Sequence, residues 1–159
     1  MRILGIDPGV AIVGYGIVEE RDRILKLVDY GCIITKASCP HPERLVKISK
    51  ELDKIIKTFK PDVLAVEELF FCKNVKTALK VGEARGVILS VAMQNNLPIH
   101  EFTPLQIKQA VTSYGRADKN QIQQMVKIIL GLKNIIKSDD AADAVAAAIT
   151  CAHTKQLKC

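Results

Sequence analysis

Acidic residues stand at three places in the sequence where carboxylates could act together. Asp7 follows a short apolar run, and Glu67 and Glu68 follow a second one. Asp140 and Asp143 lie at the start of an alanine-rich stretch, one helical turn apart. Carboxylates that share a site repel one another unless a cation compensates, and a divalent metal with open coordination positions can also bind phosphate. The pattern therefore indicates metal-dependent hydrolysis of a phosphodiester.

The types of ligand available favour a hard metal ion. The acids have no cysteine or histidine beside them, and carboxylate oxygens are typical ligands of magnesium and manganese rather than of zinc. In a two-metal site, ions about 4 Å apart activate the attacking water and stabilise the leaving oxygen. We therefore expect two Mg²⁺ ions per active site, with Mn²⁺ as a possible substitute.

Each acid also has an ordinary structural explanation. Asp140 could be a helix N-cap with Asp143 at the third helical position, and Asp7 begins an Asp-Pro-Gly sequence that is common in turns. Glu67 and Glu68 are adjacent on a strand and point to opposite faces, so at most one of them serves the site. The spacing alone does not say which one. The joint pattern of the acids favours a shared site.

Elements that could position these acids are visible in the apolar periodicity. It predicts strands at residues 2–6, 12–19, 24–34, 63–66 and 98–102, and helices at residues 45–59, 74–95, 104–114, 119–130 and 140–153. Residues 36–42 contain two prolines and are predicted to form a loop. This order indicates an α/β fold with a mixed five-stranded sheet, three antiparallel strands first, flanked by helices. If the first and fourth strands are neighbours, Asp7 and Glu67 meet in one crevice at their carboxyl ends.

The size and charge of the chain limit the possible classes. A chain of 159 residues that is 48% apolar is predicted to form a single domain over residues 1–159, with a flexible tail after about residue 154. The net charge of +6 favours a phosphate-rich partner such as nucleic acid, although surface lysines also serve solubility. The five cysteines form no Cys-x-x-Cys pair, and an acid interrupts the N-terminal apolar run. We therefore expect a soluble protein of a reducing cytoplasm.

Several motifs together resemble one known family. They are Leu-Gly-Ile-Asp-Pro-Gly at residues 4–9, Gly-Tyr-Gly at 14–16, Val-Glu at 66–67 with Phe70 following, the segment 80–86, and Asp-Ala-Ala-Asp-Ala at 140–144. Over essentially the whole chain the sequence resembles the RuvC family of junction resolvases, a branch of the ribonuclease H-like superfamily. The resemblance implies that the catalytic and metal-binding residues are Asp7, Glu67, Asp140 and Asp143. It thereby selects Glu67 over Glu68.

The same resemblance implies a reaction and its partners. Members of the family resolve Holliday junctions, in homologous recombination and DNA repair, by symmetric nicking of two strands that leaves 5'-phosphate and 3'-hydroxyl ends. The expected partners are four-way junction DNA, a second copy in a homodimer, and the branch-migration motor and junction-binding proteins of the same pathway. A row of small residues, Gly82, Gly86 and Ser90, is one candidate dimer interface, although packing within the chain explains it equally well.

Other residues resemble DNA-binding positions of the family. Phe70 resembles an aromatic residue that stacks on bases at the exchange point, although Phe70 and Phe71 could also be core residues. Lys108 and Lys119 resemble basic residues near the scissile phosphate. The wider phosphate-binding surface could include Lys73, Lys76, Lys80, Arg85 and Arg116. Lysines are often simply solvated, and Asp139, an acid beside the motif, is predicted to begin a helix rather than to bind metal.

Three other functions are compatible with parts of the pattern. The first motif also resembles the phosphate-binding start of actin-like ATPases and sugar kinases, but those need two such domains and this chain is predicted to have one. A related ribonuclease H-like nuclease acting on another nucleic acid would share the acids. A non-catalytic junction-binding module would be expected if one of the four carboxylates were missing, and all four are present.

Overall fold

The computed structural model describes residues 1–68 and 75–156, with the backbone alone at residues 75, 76, 155 and 156. Its strands are β1 (Arg2–Asp7), β2 (Ile12–Arg21), β3 (Ile24–Ile34), β4 (Val63–Glu67) and β5 (Ile99–Phe102). Its helices are α1 (His41–Phe59), α2 (Val75–Gln94), α3 (Pro104–Thr112), α4 (Lys119–Ile129) and α5 (Asp139–Gln156). The predicted order of elements is thus confirmed.

The strands form one mixed sheet in the order β3-β2-β1-β4-β5. The first three strands are antiparallel neighbours, and β4 and β5 add in parallel to β1. The apolar residues of β1 and β4 are almost all buried, as expected for central strands covered on both faces. The predicted mixed five-stranded sheet is therefore confirmed.

Helices cover both faces of this sheet and bury two separate cores. On one face α1 and α2 pack over a cluster that includes Leu4, Ile6 and Val66. On the other face α5 lies against β1, β2 and β4, with α3 and α4 beside it. The alanines of α5 are buried, so this helix is enclosed by the protein and only its two ends approach the surface.

Glycines allow the backbone of α5 to approach the sheet directly. A Cβ at Gly5 would lie closer than 3.0 Å to the carbonyl oxygen of Ala144, and a Cβ at Gly14 would come within 2.9 Å of the backbone nitrogen of Ala141. Both neighbours are backbone atoms of α5, which cannot move aside without displacing the helix. The glycines therefore determine how closely the start of α5 approaches the ends of β1 and β2.

Two predicted boundaries differ from the structure. Helix α1 begins at His41 rather than near residue 45, because Pro42 occupies the first turn, where a proline costs no helical hydrogen bond. The predicted loop is correspondingly shorter. Helix α5 extends to Gln156, beyond the predicted end, and residues 157–159 lie outside the described residues. Among the helices described, none is both long and apolar enough to span a membrane.

We expect Gly14→Ala to destabilise the protein strongly, because its methyl group must displace the backbone of α5. Overpacking of this kind costs roughly 1–3 kcal/mol or more, which lowers Tm by about 2–4 °C per kcal/mol in a chain of this size. Thermal unfolding followed by circular dichroism measures the change. The matched control is Thr58→Ala, an exposed position near the end of α1. A Gly14→Ala protein as stable as this control would contradict the packing argument.

Candidate active site

The ends of two central strands bring the first pair of acids together. Strands β1 and β4 are parallel neighbours, and their register pairs Ile6 with Val66. The residues that follow, Asp7 and Glu67, therefore leave the sheet side by side, since adjacent strands are about 4.8 Å apart. The charge of Asp143 on α5 raises the pKa of both Asp7 and Glu67, so these three carboxyls lie close together. Glu68 is not among the groups that shift the pKa of these carboxyls.

The start of α5 supplies the second pair of acids. Ser138 precedes the helix, and its side-chain and backbone oxygens accept hydrogen bonds from the backbone N–H groups of Ala141 and Ala142, at 3.4 and 2.9 Å. Ser138 therefore caps this end of the helix, and the N-cap alternative for Asp140 is wrong. Asp140 and Asp143 lie inside the first turns and are free to serve another purpose.

Burial and mutual repulsion make Asp7 an unusually weak acid. Removal from solvent is the main cause, and the charges of Glu67, Asp143 and Asp140 add to it. Lys119 opposes the effect only in part, and the pKa of Asp7 rises to about 8. The protein alone therefore does not balance the negative charge that it gathers at this edge of the sheet.

Two other acids of the group are shifted in the same direction. Burial raises the pKa of Glu67, with the charge of Asp143 second, while Lys108 and Lys119 lower it. Burial also raises the pKa of Asp143, where Lys119 is the largest opposing influence. The acids of β1, β4 and α5 thus form one electrostatically coupled group flanked by two lysines.

Lys108 of α3 and Lys119 of α4 lie close to these acids. The Nζ atom of Lys119 is 3.4 Å from Oδ2 of Asp139 and 3.9 Å from Oδ2 of Asp143. Lys108 and Lys119 line a cavity of about 180 Å³ together with Glu67, Asp143, Pro104, Ile107 and Ile122. The cavity thus has both acids and cations in its wall, an arrangement that suits a phosphate group bound between a metal and lysines.

Asp139 lies on the outer side of this arrangement. It is the first residue of α5, as predicted, and it is exposed. Its Oδ1 accepts a hydrogen bond from Nε2 of Gln123 at 2.9 Å, and its Oδ2 contacts Lys119. Asp139 therefore helps to hold Lys119 beside Asp143, a contact that the sequence did not indicate.

The donor set fits a divalent cation of the magnesium type. All the candidate ligands are carboxylate oxygens, and the burial and mutual repulsion that raise the pKa of Asp7 are both relieved by a bound cation. In the part of the chain that the structure describes, no three Asp, Glu, His or Cys side chains are arranged to enclose an ion as they stand. Binding would therefore draw the carboxylates together from their present rotamers.

The remaining predicted DNA-binding residues are spread over a wider surface. Lys80 on α2 and Arg116, between α3 and α4, are exposed. Arg85 is largely buried and forms an ion pair with Glu101 of β5, so its charge already has a partner within the chain. Phe70 and Lys73 lie outside the described residues, as does the side chain of Lys76.

Sequence reasoning missed Arg44 at the start of α1. This side chain lines a second cavity, of about 400 Å³, whose wall also includes Asp140 and Lys80. In the sequence Arg44 is one basic residue beside an amphipathic helix, and nothing distinguishes it from a solvated one. Its hydrogen bond to Thr35, whose hydroxyl bonds Val10 in the turn after β1, brings it beside Asp140.

Because ionised Asp7 is disfavoured in the folded state, we expect Asp7→Asn to stabilise the metal-free protein. The folded pKa of about 8 exceeds the unfolded value near 3.8. The stability that protonated Asp7 contributes to the folded state is thus complete below pH 3.8 and is lost as pH rises through 8. In chelator at pH 9 the variant should melt at least about 5 °C above the parent, because each unit by which the pKa is raised corresponds to about 1.4 kcal/mol.

The same measurement at pH 5 gives the internal comparison, since the difference between Asp7→Asn and the parent should shrink there. Asp22→Asn is the matched control, because Asp22 is exposed at the turn between β2 and β3. It should leave Tm unchanged at both pH values. A lower Tm for Asp7→Asn at pH 9 would refute the electrostatic interpretation.

Comparison with known proteins shows similarity over nearly the whole chain. The family model described as "Crossover junction endodeoxyribonuclease RuvC" matches residues 3–151. The RuvC protein of Caldicellulosiruptor saccharolyticus is 57% identical over 94% of this chain and 90% of its own length. That of Desulfitobacterium hafniense is 56% identical over 99% of this chain and 95% of its own length.

A solved structure gives the same result for the fold. Thermus thermophilus RuvC, determined in complex with a Holliday junction substrate, superposes with a TM-score of 0.95 at 34% identity, covering 99% of this chain and 96% of that one. The ribonuclease H-like resolvase fold predicted from the sequence is thereby confirmed. The chain belongs to the RuvC family of crossover junction endodeoxyribonucleases.

Proposed function

We propose that this protein is a magnesium-dependent, structure-selective endonuclease that resolves Holliday junctions by nicking two strands symmetrically. The observation that carries the proposal is the convergence of Asp7, Glu67 and Asp143 into one coupled acidic group flanked by Lys108 and Lys119, on a chain of this family. The role fits homologous recombination and DNA repair, in which such junctions arise.

The four carboxylates Asp7, Glu67, Asp140 and Asp143 would hold the cation. A pair of Mg²⁺ ions, or Mn²⁺ in their place, would supply an activated water and stabilise charge on the scissile phosphate. The buried carboxylates contribute negative charge that the protein does not balance, which favours binding of cations. Their burial also keeps bulk water from weakening that attraction.

The lysines on α3 and α4 would stabilise the charge that develops during cleavage. The water oxygen forms the new bond to phosphorus, the bond from phosphorus to the 3'-oxygen breaks, and a proton from the water ends on that oxygen. The products are a 5'-phosphate and a 3'-hydroxyl. Lys108 and Lys119 line the same cavity as Glu67 and Asp143, so they can contact the oxygen of a phosphate bound there.

A wider basic surface would bind the arms of the junction. Lys80 and Arg116 are exposed and can reach phosphates, whereas Arg85 needs to leave Glu101 to do so. Phe70 is proposed to stack on bases at the exchange point, and Lys73 and Lys76 to contact phosphate nearby. Such contacts position DNA without reading its sequence, which suits an enzyme that is selective for structure.

Two active sites in a homodimer would account for paired nicks. The small-residue row on α2 supports an interface there, because Gly86 is exposed and a Cβ added to it would have no atom of the described chain within 4 Å. A groove between α1 and α2 runs along the same helix and contains Ser90, and the apolar Leu79 and Met93 are exposed at either end. A branch-migration motor and junction-binding proteins would act on the same substrate.

Incubation with a synthetic four-way junction and with linear duplex, each in magnesium and in chelator, tests the proposed reaction. We expect paired nicks that ligase can seal, only in the junction and only with magnesium. Cleavage of duplex or RNA instead would indicate a related ribonuclease H-like nuclease that acts on another nucleic acid. Junction binding without cutting would indicate the non-catalytic module.

Asp7→Asn should reduce junction nicking by at least roughly a thousandfold, because it removes a proposed metal ligand. Junction affinity in chelator should stay within about threefold of the parent, since phosphate contacts dominate binding. Single-turnover cleavage and gel-shift titration measure the two quantities, with Asp22→Asn as control. An equal loss of cleavage and binding would remove Asp7 from the proposed role.

Ser90→Arg should convert the dimer to a monomer at micromolar concentration, because it places a charge on the α2 row. The variant should still fold, since Ser90 is exposed. Light scattering coupled to size-exclusion chromatography gives the mass. Thr58→Arg, an equally exposed change near the far end of α1, is the control. A Ser90→Arg protein that remains dimeric would place the interface elsewhere.

A further inference from the structure

The second cavity has Asp140 in its wall, whereas the lysine-lined cavity has Glu67 and Asp143. The turn after β1, the first turn of α1 and the first half of α2 surround a space of about 400 Å³. Residues 9–12, Thr77 and Val81 form its uncharged wall, and its charged groups are Arg44, Lys80 and Asp140. The cavity is therefore open to the acidic edge and has two cations to one acid.

Arg44 is held in place by a buried hydroxyl. Its Nε donates to Oγ1 of Thr35 at 2.8 Å, and that hydroxyl donates to the carbonyl oxygen of Val10 at 2.5 Å. Thr35 is 5% exposed, and its backbone N–H also bonds the carbonyl of Ala11. The guanidinium is thus fixed to the turn that follows Asp7.

Most of the bonding capacity of this guanidinium is unused. Within the described part of the chain its only hydrogen bond is made by Nε. The N–H groups of the two terminal nitrogens therefore remain available to a ligand. A fixed, planar fork of N–H donors matches the oxygens of a phosphate group. The acid one turn beyond Lys80, Glu83, pairs with His41 and does not line the cavity.

We propose that this cavity binds a backbone phosphodiester of the cleaved DNA strand, next to the scissile phosphate, with Arg44 as its fixed anchor and Lys80 as a second cation. The inference rests on the proposed function. The apolar wall suits the deoxyribose that accompanies each phosphate. Because Arg44 is tied through Thr35 to the turn after Asp7, the bound strand is located relative to the acids by a short chain of hydrogen bonds.

The test uses junctions in which single neutral methylphosphonate linkages replace phosphates, one position at a time, on both sides of the cut mapped with the parent protein. Binding is measured in chelator with the full chain. One linkage near the cut should weaken parent binding roughly tenfold, and the same linkage should cost Arg44→Gln nothing. Arg44→Gln should also bind the normal junction roughly tenfold more weakly, with a salt slope lower by about one.

Lys57→Gln is the matched control, because it removes the same charge from the far end of α1, where Lys57 pairs with Asp53. It should keep the full methylphosphonate penalty. Lys80→Gln changes an exposed side chain and provides a second variant should Arg44→Gln fail to fold. It should reduce the penalty at the same linkage.

Equal penalties at every linkage in the parent, Arg44→Gln and Lys80→Gln would overturn the inference. Binding and nicking of the junction by the parent protein test the proposed function separately. If the parent neither binds nor nicks the junction, the proposed function fails. If it does both and the variants behave like Lys57→Gln, only the phosphate site is wrong.

Discussion

The close approach of α5 to the sheet is the constraint on which the rest of the molecule depends. Gly5 and Gly14 have no side chain between the strands and the backbone of α5, so the helix lies directly on β1 and β2. That contact places the first turns of α5 beside the ends of β1 and β4. Larger residues at these positions would separate the two pairs of acids and change the spacing on which a shared cation depends.

The same packing produces both the stability of the fold and the instability of its site. Apolar cores on both faces of the sheet bury Leu4, Ile6 and Val66, which favours folding by the removal of apolar surface from water. The strands that carry these residues end in carboxylates that share their burial. Repulsion between these charges thus offsets part of the free energy of folding. This is expected at a binding site, where function requires groups that repel one another to lie close together.

Much of this arrangement could be predicted because it follows from local patterns. Apolar runs ending in acids indicated that Asp7 and Glu67 meet, and the parallel pairing of β1 and β4 bears this out. The start of α1 was predicted wrongly because two prolines in a short segment are typical of a loop. Pro42 instead lies in the first turn of the helix, where proline is tolerated. Contacts such as Arg44 with Thr35, or Asp139 with Gln123, join distant segments and leave no periodic signal.

The order of the acids along the chain has a consequence for the cell. Asp7 comes from the first strand, Glu67 from the fourth, and Asp140 and Asp143 from the last described helix. During synthesis, a chain interrupted before α5 has half the carboxylates and also lacks the helix that covers one face of its sheet. Such a fragment exposes the apolar face of the sheet that α5 covers, and it lacks half of the proposed metal ligands. Under the proposed function, a complete site therefore forms only after the last described helix has been made and has packed on the sheet.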